Sequence, residues 1–456
     1  MTDWTLDIAG HEGPIYRAIA TAIARDVARG VLRPGQRLPS QRDLAAAMGI
    51  DLTTVSRGFA EALRQGLIES DGRRGSFVRA PVAEPTPAGS GEAEPSGMNM
   101  PPAPDAVVEA LRQGYQALLG EGAHLHYRPS GGGQADRAFA AAFLARTIGE
   151  TSADQVLVTA GGQNALHSIC ATMFQPGDAV AAGACTYPGF LAVARRLAVD
   201  VVPLAMDEEG ILPDALDAAA RNGRLKSVYV VPTIDNPTTA TMGAARRAAI
   251  VEVAARHGLQ IIEDDAYGRL PEAPIAPIAA IAPERTWHIL SLSKAVSPAL
   301  RLALVRAPRV RDALRLAADV HETAVMAPPL NVALLGCWIG TGQLDRLVQA
   351  VRAESAARAE IAAAMLEGAD FAIHPEGYHL WLRLGEGSKA TDIALALQGA
   401  GLSAVPASAF AVTPAQAPEA LRISLGGALS RDALRRGLGR LDALLAQGGR
   451  RDHALI

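Results

Sequence analysis

The chain has 456 residues, which predicts two or three domains, and its net charge of −4 excludes a uniformly basic coat for nucleic acid. No apolar run reaches the ~20 residues of a membrane span, and the acidic N-terminus lacks the features of a signal peptide. Three scattered cysteines and ten histidines without ligand spacing favour a cytoplasmic protein with no disulfide framework and no metal site.

The first predicted helix lies in "IYRAIATAIARDVARG". Its apolar residues recur at every fourth position, and this spacing predicts a buried face made of Ile15, Ile19, Ile23 and Val27. A Pro-Gly pair then predicts a turn. Ser40 and Asp43 have the spacing of a capping box, so a short second helix is predicted from there to Gly49.

A third helix is predicted to begin at Asp51, whose side chain can cap the first N–H groups. Val55, Phe59 and Leu63 would share its buried side. "GLIES" and "SFV" then predict two short strands around a glycine-containing turn. Two helices, a third helix and a hairpin make a winged helix-turn-helix, whose third helix would enter the major groove of DNA.

This stretch resembles the GntR-type winged helix, because "LRPGQRLPSQRDLAAAMGI", "TTVSRGFAEALRQGLIES" and "GRRGSFV" match that family's pattern in order. The resemblance implies a double-stranded DNA operator as partner. Leu52 stands where many members carry arginine, so their base preference cannot be transferred to this chain. The alternative is a winged helix that contacts protein. The residues that the resemblance assigns to DNA are Arg42, Thr53, Thr54, Arg57 and, on the wing, Arg73 and Arg74.

Residues 81–104 mark the clearest boundary, since seven of these 24 residues are proline. The composition predicts a semi-extended linker, and the alternative is an ordered arm that wraps on the second domain. The predicted domains are therefore a DNA-binding domain in residues 1–80, the linker in residues 81–104 and a second domain in residues 105–456.

Apolar runs alternate with helical sequence in the second domain. The runs are "DQVLVTA", "DAVAAGACTY", "VDVVPLAM", "SVYVVPT", "QIIEDDAY" and "TWHILSLS". Their rhythm predicts an α/β fold of βαβ units with a mostly parallel sheet and helices on both faces. Ligands of such sheets bind beyond the carboxyl ends of the strands, so functional groups are expected directly after each run.

The polar groups at these strand ends fit pyridoxal 5′-phosphate (PLP) held as a Schiff base. Lys294, one of only three lysines, supplies the amine, with Ser293 as a flanking hydroxyl. Asp264 can keep the pyridine nitrogen protonated. Asn236 and Tyr267 can donate to the phenolate oxygen.

The phosphate and the ring faces also find partners in the sequence. The glycine turn "GGQN" opens a helix whose N–H groups suit an anion. Tyr187, at the end of another run, can cover the ring. The expected phosphate ligands are the N–H groups of Gly162 and Gln163 with the side chains of Ser291 and Arg301.

The segment from about 105 to 445 resembles class I/II aminotransferases of PLP fold type I. The matching motifs are "NPTTATM", "DDAY", "SLSKAVSPALR", "LRISL" and "HYRPSGGGQADRAFAAAFL", with glycines missing from "NPTT" and "SPALR". The resemblance implies a homodimer in which Tyr127 reaches the phosphate of the partner subunit. It also implies that Arg422 binds a substrate carboxylate. A large domain of about 105–340 and a small domain of about 341–456 are expected.

Each residue also has a structural alternative. Asp264 could cap a helix, Tyr187 could be core packing and Arg422 could form a structural ion pair. Lys294 could be an ordinary surface lysine.

The winged helix, linker and aminotransferase-like domain together resemble the MocR group of bacterial transcription regulators. The resemblance implies a PLP-dependent, effector-sensing regulator in which an amine or amino acid forms an external aldimine and changes operator binding. The first alternative is an active PLP-dependent aminotransferase that also binds DNA. The second is a DNA-binding protein whose second domain serves only as a dimerisation scaffold.

Overall fold

The structure is a computed structural model that describes residues 4, 6, 14–29, 31–33, 35–70, 75–78, 97–121, 126–385, 387–398 and 400–451. Residue contacts divide the chain into two compact units, Met1–Gly91 and Glu92–Ile456. Arg73 and Arg74 of the predicted wing, and residues 81–96 of the predicted linker, lie outside the described residues.

The N-terminal unit has the predicted order of elements. Two antiparallel strands follow three helices, and Ile68 pairs with Val78 in the hairpin. The winged helix-turn-helix prediction is therefore confirmed. The elements are α1 (Ile15–Ala28), α2 (Gln41–Met48), α3 (Leu52–Arg64), β1 (Ile68–Ser70) and β2 (Ser76–Val78).

Side chains cap α2 and α3 at the predicted positions. The Asp51 carboxylate accepts from the backbone N–H of Thr53 at 2.7 Å. Ser40 Oγ accepts from the backbone N–H of Asp43 at 3.1 Å, but the Asp43 carboxylate takes the Ser40 hydroxyl instead of its backbone N–H. The helix start is thus confirmed, whereas the reciprocal half of the capping box is not formed.

The buried faces of α1 and α3 are narrower than the sequence predicted. Ile19 and Ile23 are fully buried, but Ile15 is 44% exposed and Leu63 is 48% exposed. An α-helix turns about 100° per residue, so a four-residue repeat drifts about 40° each time and its ends leave the core. Ala62, one residue before Leu63, takes the buried position.

Gly58 lets α1 and α3 approach closely. A Cβ at this position would lie 2.8 Å from Ile19 Cβ, an atom that cannot rotate away. We expect Gly58→Ala to lower the free energy of unfolding of this unit by about 1–3 kcal/mol, the usual cost of overpacking. Thermal or urea unfolding measures the effect. Ala60→Ser on the exposed face of the same helix is the control, and equal stability of both variants would contradict the prediction.

The second unit is built on a mixed sheet, with strand order β3-β11-β10-β9-β8-β4-β5. Strand β11 runs antiparallel to β3 and β10, and the remaining neighbours are parallel. A separate hairpin pairs β6 with β7. The strands are β3 (Val156–Thr159), β4 (Ala179–Gly183), β5 (Asp200–Leu204), β6 (Met206–Asp207), β7 (Gly210–Ile211), β8 (Leu225–Val230), β9 (Gln260–Asp264), β10 (Thr286–Ser291) and β11 (Ala303–Arg306).

All six predicted strands are present, but β11 was missed. Between β10 and β11 the chain has only two short helical turns, α11 (Leu292–Ala295) and a 3-10 turn at Pro298–Leu300. No long crossover helix precedes β11, so this strand breaks the βαβ rhythm on which the prediction depended.

Helices cover both faces of this sheet, and apolar clusters fill the two layers between helices and strands. The predicted α/β class is therefore confirmed. Within the described residues, no helix has the combination of length and apolar character that spanning a membrane requires. The helices are α4 (Asp105–Glu121), α5 (Gln134–Ile148), α6 (Gly162–Met173), α7 (Pro188–Arg196), α8 (Pro213–Ala220), α9 (Ala244–Arg256), α10 (Ile278–Ile281), α12 (Val310–Ala324) and α13 (Pro329–Gly340).

The C-terminal part of the unit carries a smaller antiparallel sheet of order β12-β13-β15-β14. Its own apolar cluster packs this sheet against helices. Arg422 lies on β15, one of the two interior strands of this sheet. The elements are α14 (Gln343–Met365), β12 (Phe371–Ile373), β13 (His379–Arg383), α15 (Ala390–Gln398), β14 (Ser403–Pro406), β15 (Ala420–Ser424) and α16 (Arg431–Arg451).

The end of the predicted linker is an ordered arm on the second unit, which was the alternative interpretation. Pro102 forms a parallel bridge with Gly427, and the N–H of Gly427 donates to the Pro101 carbonyl at 3.1 Å. Helix α4 begins at Asp105, as predicted. Residues 97–102 are therefore part of the second unit and do not belong to a free linker.

Candidate functional site

One cavity, partly open to solvent, lies at the carboxyl ends of the central strands. Met98, Met100 and Pro101 of the ordered arm also line it. The cavity brings together ten side chains or backbone segments that the sequence assigned to one cofactor, namely Gly162, Gln163, Tyr187, Asn236, Asp264, Tyr267, Ser291, Ser293, Lys294 and Arg301.

One end of the cavity is built for an anion. Gly161 precedes α6 with φ 89°, and the first N–H groups of a helix have no intrahelical acceptor. A Cβ at Gly162 would lie 3.3 Å from Ser291 Cβ, and one at Gly161 would lie 3.4 Å from the Arg301 guanidinium. Arg301 adopts the left-handed conformation with φ 45°, a strained geometry that turns its side chain to this end.

A buried carboxylate lies at the end of β9. Tyr229 donates its hydroxyl hydrogen to Asp264 Oδ2 at 2.9 Å, and its ring stacks on Phe190 with centroids 4.0 Å apart. Burial raises the pKa of Asp264 to about 6, although the Tyr229 hydrogen bond opposes this. Tyr229 was missed, because "SVYVV" was interpreted only as a strand. A buried tyrosine hydroxyl needs a partner, and that need was the available signal.

Lys294 stands on α11 with its amine directed at the arm. Its Nζ donates to the Asn99 carbonyl at 2.5 Å. Burial and then the nearby Arg422 charge lower the pKa of this amine to about 8, so its neutral, nucleophilic form is accessible near neutral pH. The other lysines form surface ion pairs, Lys226 with Asp178 and Lys389 with Glu419.

Unsatisfied polar atoms show that the cavity fits a polar ligand. Within the described ranges, Asn236 Oδ1 and Ser293 Oγ are buried and have no hydrogen-bond partner. Buried polar atoms without partners are costly, so such atoms beside a cavity indicate a binding site. The amine, carboxylate, amide and anion cradle together match the chemical groups of PLP.

Two aromatic hydroxyls are already engaged around this cavity. Tyr187 donates to Gln163 Oε1 at 3.1 Å, which turns its ring beside the start of α6. The Tyr267 hydroxyl accepts from Asn99 Nδ2 at 3.0 Å, and burial raises its pKa. Both hydroxyls therefore stay protonated and can donate or accept within the site.

The turn after β8 keeps its shape without the family's glycine. Thr239 has φ 66°, a conformation that costs a β-branched residue about 1–2 kcal/mol. Its N–H donates to the Asp235 carbonyl at 2.7 Å, and the Thr238 hydroxyl donates to the Asp235 carboxylate at 2.7 Å. These bonds fix the turn that presents Asn236.

Arg422 has no acidic partner in the described part of the chain. It is only 2% exposed, its Nη2 donates to the Gly97 carbonyl at 2.5 Å, and its Nε is unpaired. Burial lowers its pKa to about 10, and the guanidinium lies 5.4 Å from the centroid of the Phe410 ring. A buried cation held by one neutral carbonyl is suited to an anionic ligand.

Two predicted features lie apart from the cavity. Tyr127 does not line it and is 85% exposed. Arg42, Thr53 and Arg57 are exposed on α2 and α3, and Thr54 is half-buried. The Arg57 Cζ lies 4.8 Å from the centroid of the Tyr16 ring, a cation–π distance that restrains the guanidinium. No group of three acidic, histidine or cysteine side chains in the described ranges could hold a metal ion.

Family comparisons agree with both units. Residues 91–441 match the family described as aminotransferase class I and II, and residues 15–78 match bacterial regulatory proteins of the gntR family. The chain belongs to the class I and II aminotransferase family. Its combination with a GntR helix-turn-helix domain is that of a MocR-type transcriptional regulator, and the cofactor of the aminotransferase-like domain is PLP.

The relatives agree with this assignment. The transcriptional regulator YdeF of Bacillus subtilis (strain 168) is 29% identical over 97% of this chain and 96% of its own. The vitamin B6 salvage pathway transcriptional repressor PtsJ of Salmonella typhimurium is 28% identical over 85% and 90%. LysN, an α-aminoadipate aminotransferase of Thermus thermophilus solved with N-(5′-phosphopyridoxyl)-L-leucine, is 25% identical over 80% and 94%, with a TM-score of 0.70.

Proposed function

We propose that this regulator senses an amine or amino acid through PLP and changes its binding to operator DNA in response. The observation that carries the proposal is the cavity in which Lys294, Asp264 and an anion cradle meet, in a chain that also carries a DNA-binding helix. PLP supplies an electrophilic carbon that amines attack reversibly.

The residues around the cavity have separable roles in holding this cofactor. Lys294 would bond to it covalently, and Asp264, oriented by Tyr229, would hold a proton at its ring nitrogen. Asn236 and Tyr267 would contact its phenolic oxygen. The phosphate would rest on the start of α6, where the first N–H groups are free. Its expected ligands are Gly162, Gln163, Ser291 and Arg301.

Arg422 would hold the carboxylate of the effector. Its guanidinium is buried beside Lys294, and in the described residues it has a carbonyl partner but no carboxylate. An effector with both an amine and an acidic group would therefore meet the cofactor held at Lys294 and the guanidinium of Arg422. An amino acid meets this requirement, and a simple monoamine does not.

A visible spectrum of the purified protein tests the sensing function. We expect a chromophore that changes when an effective amino acid is added, together with a change in DNA binding and without release of a keto acid. Absence of any chromophore even with added PLP would support the alternative in which the second domain is only a dimerisation scaffold.

An active aminotransferase that also binds DNA is the second candidate. It is favoured by the presence of Lys294 and Asp264 in one cavity, with the buried Arg422 close to Lys294. Keto acid and pyridoxamine phosphate appearing in stoichiometric amounts would support this candidate over the first.

The proposal includes a cytoplasmic homodimer. Tyr127 is exposed in the single chain, which suits contact with a partner subunit's phosphate. It also includes the domain limits 1–80 and 105–456, and a recognition role for α3.

DNA binding should depend on Arg42 and Arg57, which are exposed on α2 and α3. We expect Arg42→Ala and Arg57→Ala each to weaken binding to DNA selected by the wild type from a random pool. If the replaced arginine contacts a phosphate, the slope of log affinity against log salt concentration should become shallower by about one. If the arginine contacts a base, its loss should instead reduce the discrimination between bases at one position of the DNA site by about 1–3 kcal/mol.

The control for this experiment is Arg64→Ala. Arg64 lies at the far end of α3 and pairs with Glu61. Unchanged affinity and salt dependence in both test variants would indicate that α3 contacts protein.

A further inference from the structure

The arm of residues 97–101 forms part of the wall of the cavity in the second unit. Met98, Met100 and Pro101 line the same space as Lys294. In the sequence, this arm stands directly after the residues that join the winged helix to the second unit. Release of the arm would therefore lengthen the segment of chain that leads to the DNA-binding unit.

Asn99 locks the arm in place. Its side chain is 2% exposed, and Nδ2 donates to the Tyr267 hydroxyl and to His379 Nδ1, each at 3.0 Å. Its Oδ1 accepts from the Ser424 hydroxyl at 2.8 Å. His379 Nε2 lies 3.0 Å from the Asp235 carbonyl, to which it must donate, so His379 Nδ1 is free to accept. The buried amide is thus fully matched.

The C-terminal end of the arm rests on the turn after β15. Gly426 leaves no room there, because a Cβ would overlap the Met100 carbonyl oxygen and lie 3.0 Å from its carbon. The glycine therefore allows the backbone of the arm to touch the small sheet that carries Arg422.

Two carbonyls of the arm contact the groups that the effector and the cofactor would use. The Gly97 carbonyl accepts from Arg422 Nη2, and the Asn99 carbonyl accepts from Lys294 Nζ, both at 2.5 Å. The arm thus acts as an internal ligand. A carboxylate can replace the Gly97 carbonyl at the guanidinium because it brings a full negative charge to the buried cation and can accept two parallel N–H bonds from it.

We propose that residues 97–101 determine which ligands act as effectors. A carboxylate at Arg422 displaces the Gly97 carbonyl and releases the arm from the second unit, whereas a ligand without an anionic group leaves the arm bound. Release adds five residues to the chain that joins the two units. This inference rests on the proposed function, because it takes Arg422 as the carboxylate site of the effector.

Propionate tests the displacement, since it has a carboxylate and no amine. We expect it to increase deuterium uptake of the peptide that contains residues 97–102 in the full-length, cofactor-loaded protein. 1-Propanol, of similar size and without charge, should leave the uptake unchanged. Equal uptake with bound propionate and without it would overturn the proposal.

Gly426→Ala should prevent the arm from packing on the turn after β15, and it removes no side chain from the cavity. We expect this variant to show high uptake without ligand and to bind propionate about 3- to 10-fold more tightly by calorimetry, because no carbonyl must be displaced. Gly385→Ala is the matched control, since a Cβ there meets nothing within 4 Å.

The outcomes separate this inference from the proposed function. Propionate affinity equal in Gly426→Ala and wild type, or no propionate binding to either, overturns the role of the arm. If Gly426→Ala does not fold, the deuterium-uptake experiment on the wild-type protein still tests the proposal. A protein whose chromophore ignores amino acids refutes the proposed function, whereas displacement of the arm by propionate is measured independently of the chromophore.

Discussion

Lys294→Ala will abolish the covalent link between the protein and PLP and the absorption band that depends on it. The reason is structural: Lys294 is the lysine whose amine lies at the cavity, and burial lowers its pKa to about 8. Absorption spectra before and after borohydride reduction, followed by peptide mass spectrometry, measure the loss. Non-covalent PLP should remain, because Ser291, Arg301 and the start of α6 are untouched.

Lys226→Ala and Lys389→Ala are the controls for this experiment. Their amines form exposed ion pairs with Asp178 and Glu419, so both variants should keep the wild-type spectrum. A reduced cofactor adduct found on Lys226 or Lys389 in the Lys294→Ala protein would show that the assignment of the site is wrong.

Motifs in the sequence were sufficient to predict which residues meet around one cavity. Asp264 ends β9, and Asn236 and Lys294 follow β8 and β10; these strand ends meet at one edge of a parallel sheet, so order along the chain predicts proximity. The α/β class followed from the same alternation. PLP was therefore predicted from the chemical groups that the strand ends bring together, and the match to class I and II aminotransferases agrees with this prediction.

Residues that act through long-range contacts could not be predicted in this way. Asn99 lies in a stretch that reads as linker by composition, yet it bonds to residues 168 and 280 positions away. No local pattern encodes such pairs. Tyr229 supports Asp264 from a neighbouring strand, and this pairing depends on the β8–β9 register.

Errors at the helix faces have a different physical origin. Ile15 and Leu63 fit an apolar repeat, but each lies at the edge of the stripe, where the helix has rotated out of the core. Burial at such positions is decided by the neighbouring element and not by the repeat. At Gly58 the close packing of α1 against α3 depends on the absence of a side chain, so an apolar repeat cannot predict it.

Arg422→Ala will weaken the response to an amino acid by about 1.5–3 kcal/mol, the range for a hydrogen bond to a charged group. Arg422 is 2% exposed and donates to the Gly97 carbonyl, and it has no acidic partner within the described residues, so a bound carboxylate would be its first charged partner. Titration of the chromophore with an amino acid and with its decarboxylated amine measures the effect. Wild type should discriminate strongly between the two ligands, and the variant should respond weakly to both.

Arg383→Ala is the matched control for this prediction, because Arg383 lies on the adjacent strand β13 and forms an exposed pair with Asp370. It should keep the wild-type titration. Arg422→Ala itself should keep the covalent cofactor and basal DNA binding, since Lys294 and the winged helix are unchanged. If the amino acid and the amine act equally on wild type, Arg422 has a structural role and the effector needs no acidic group.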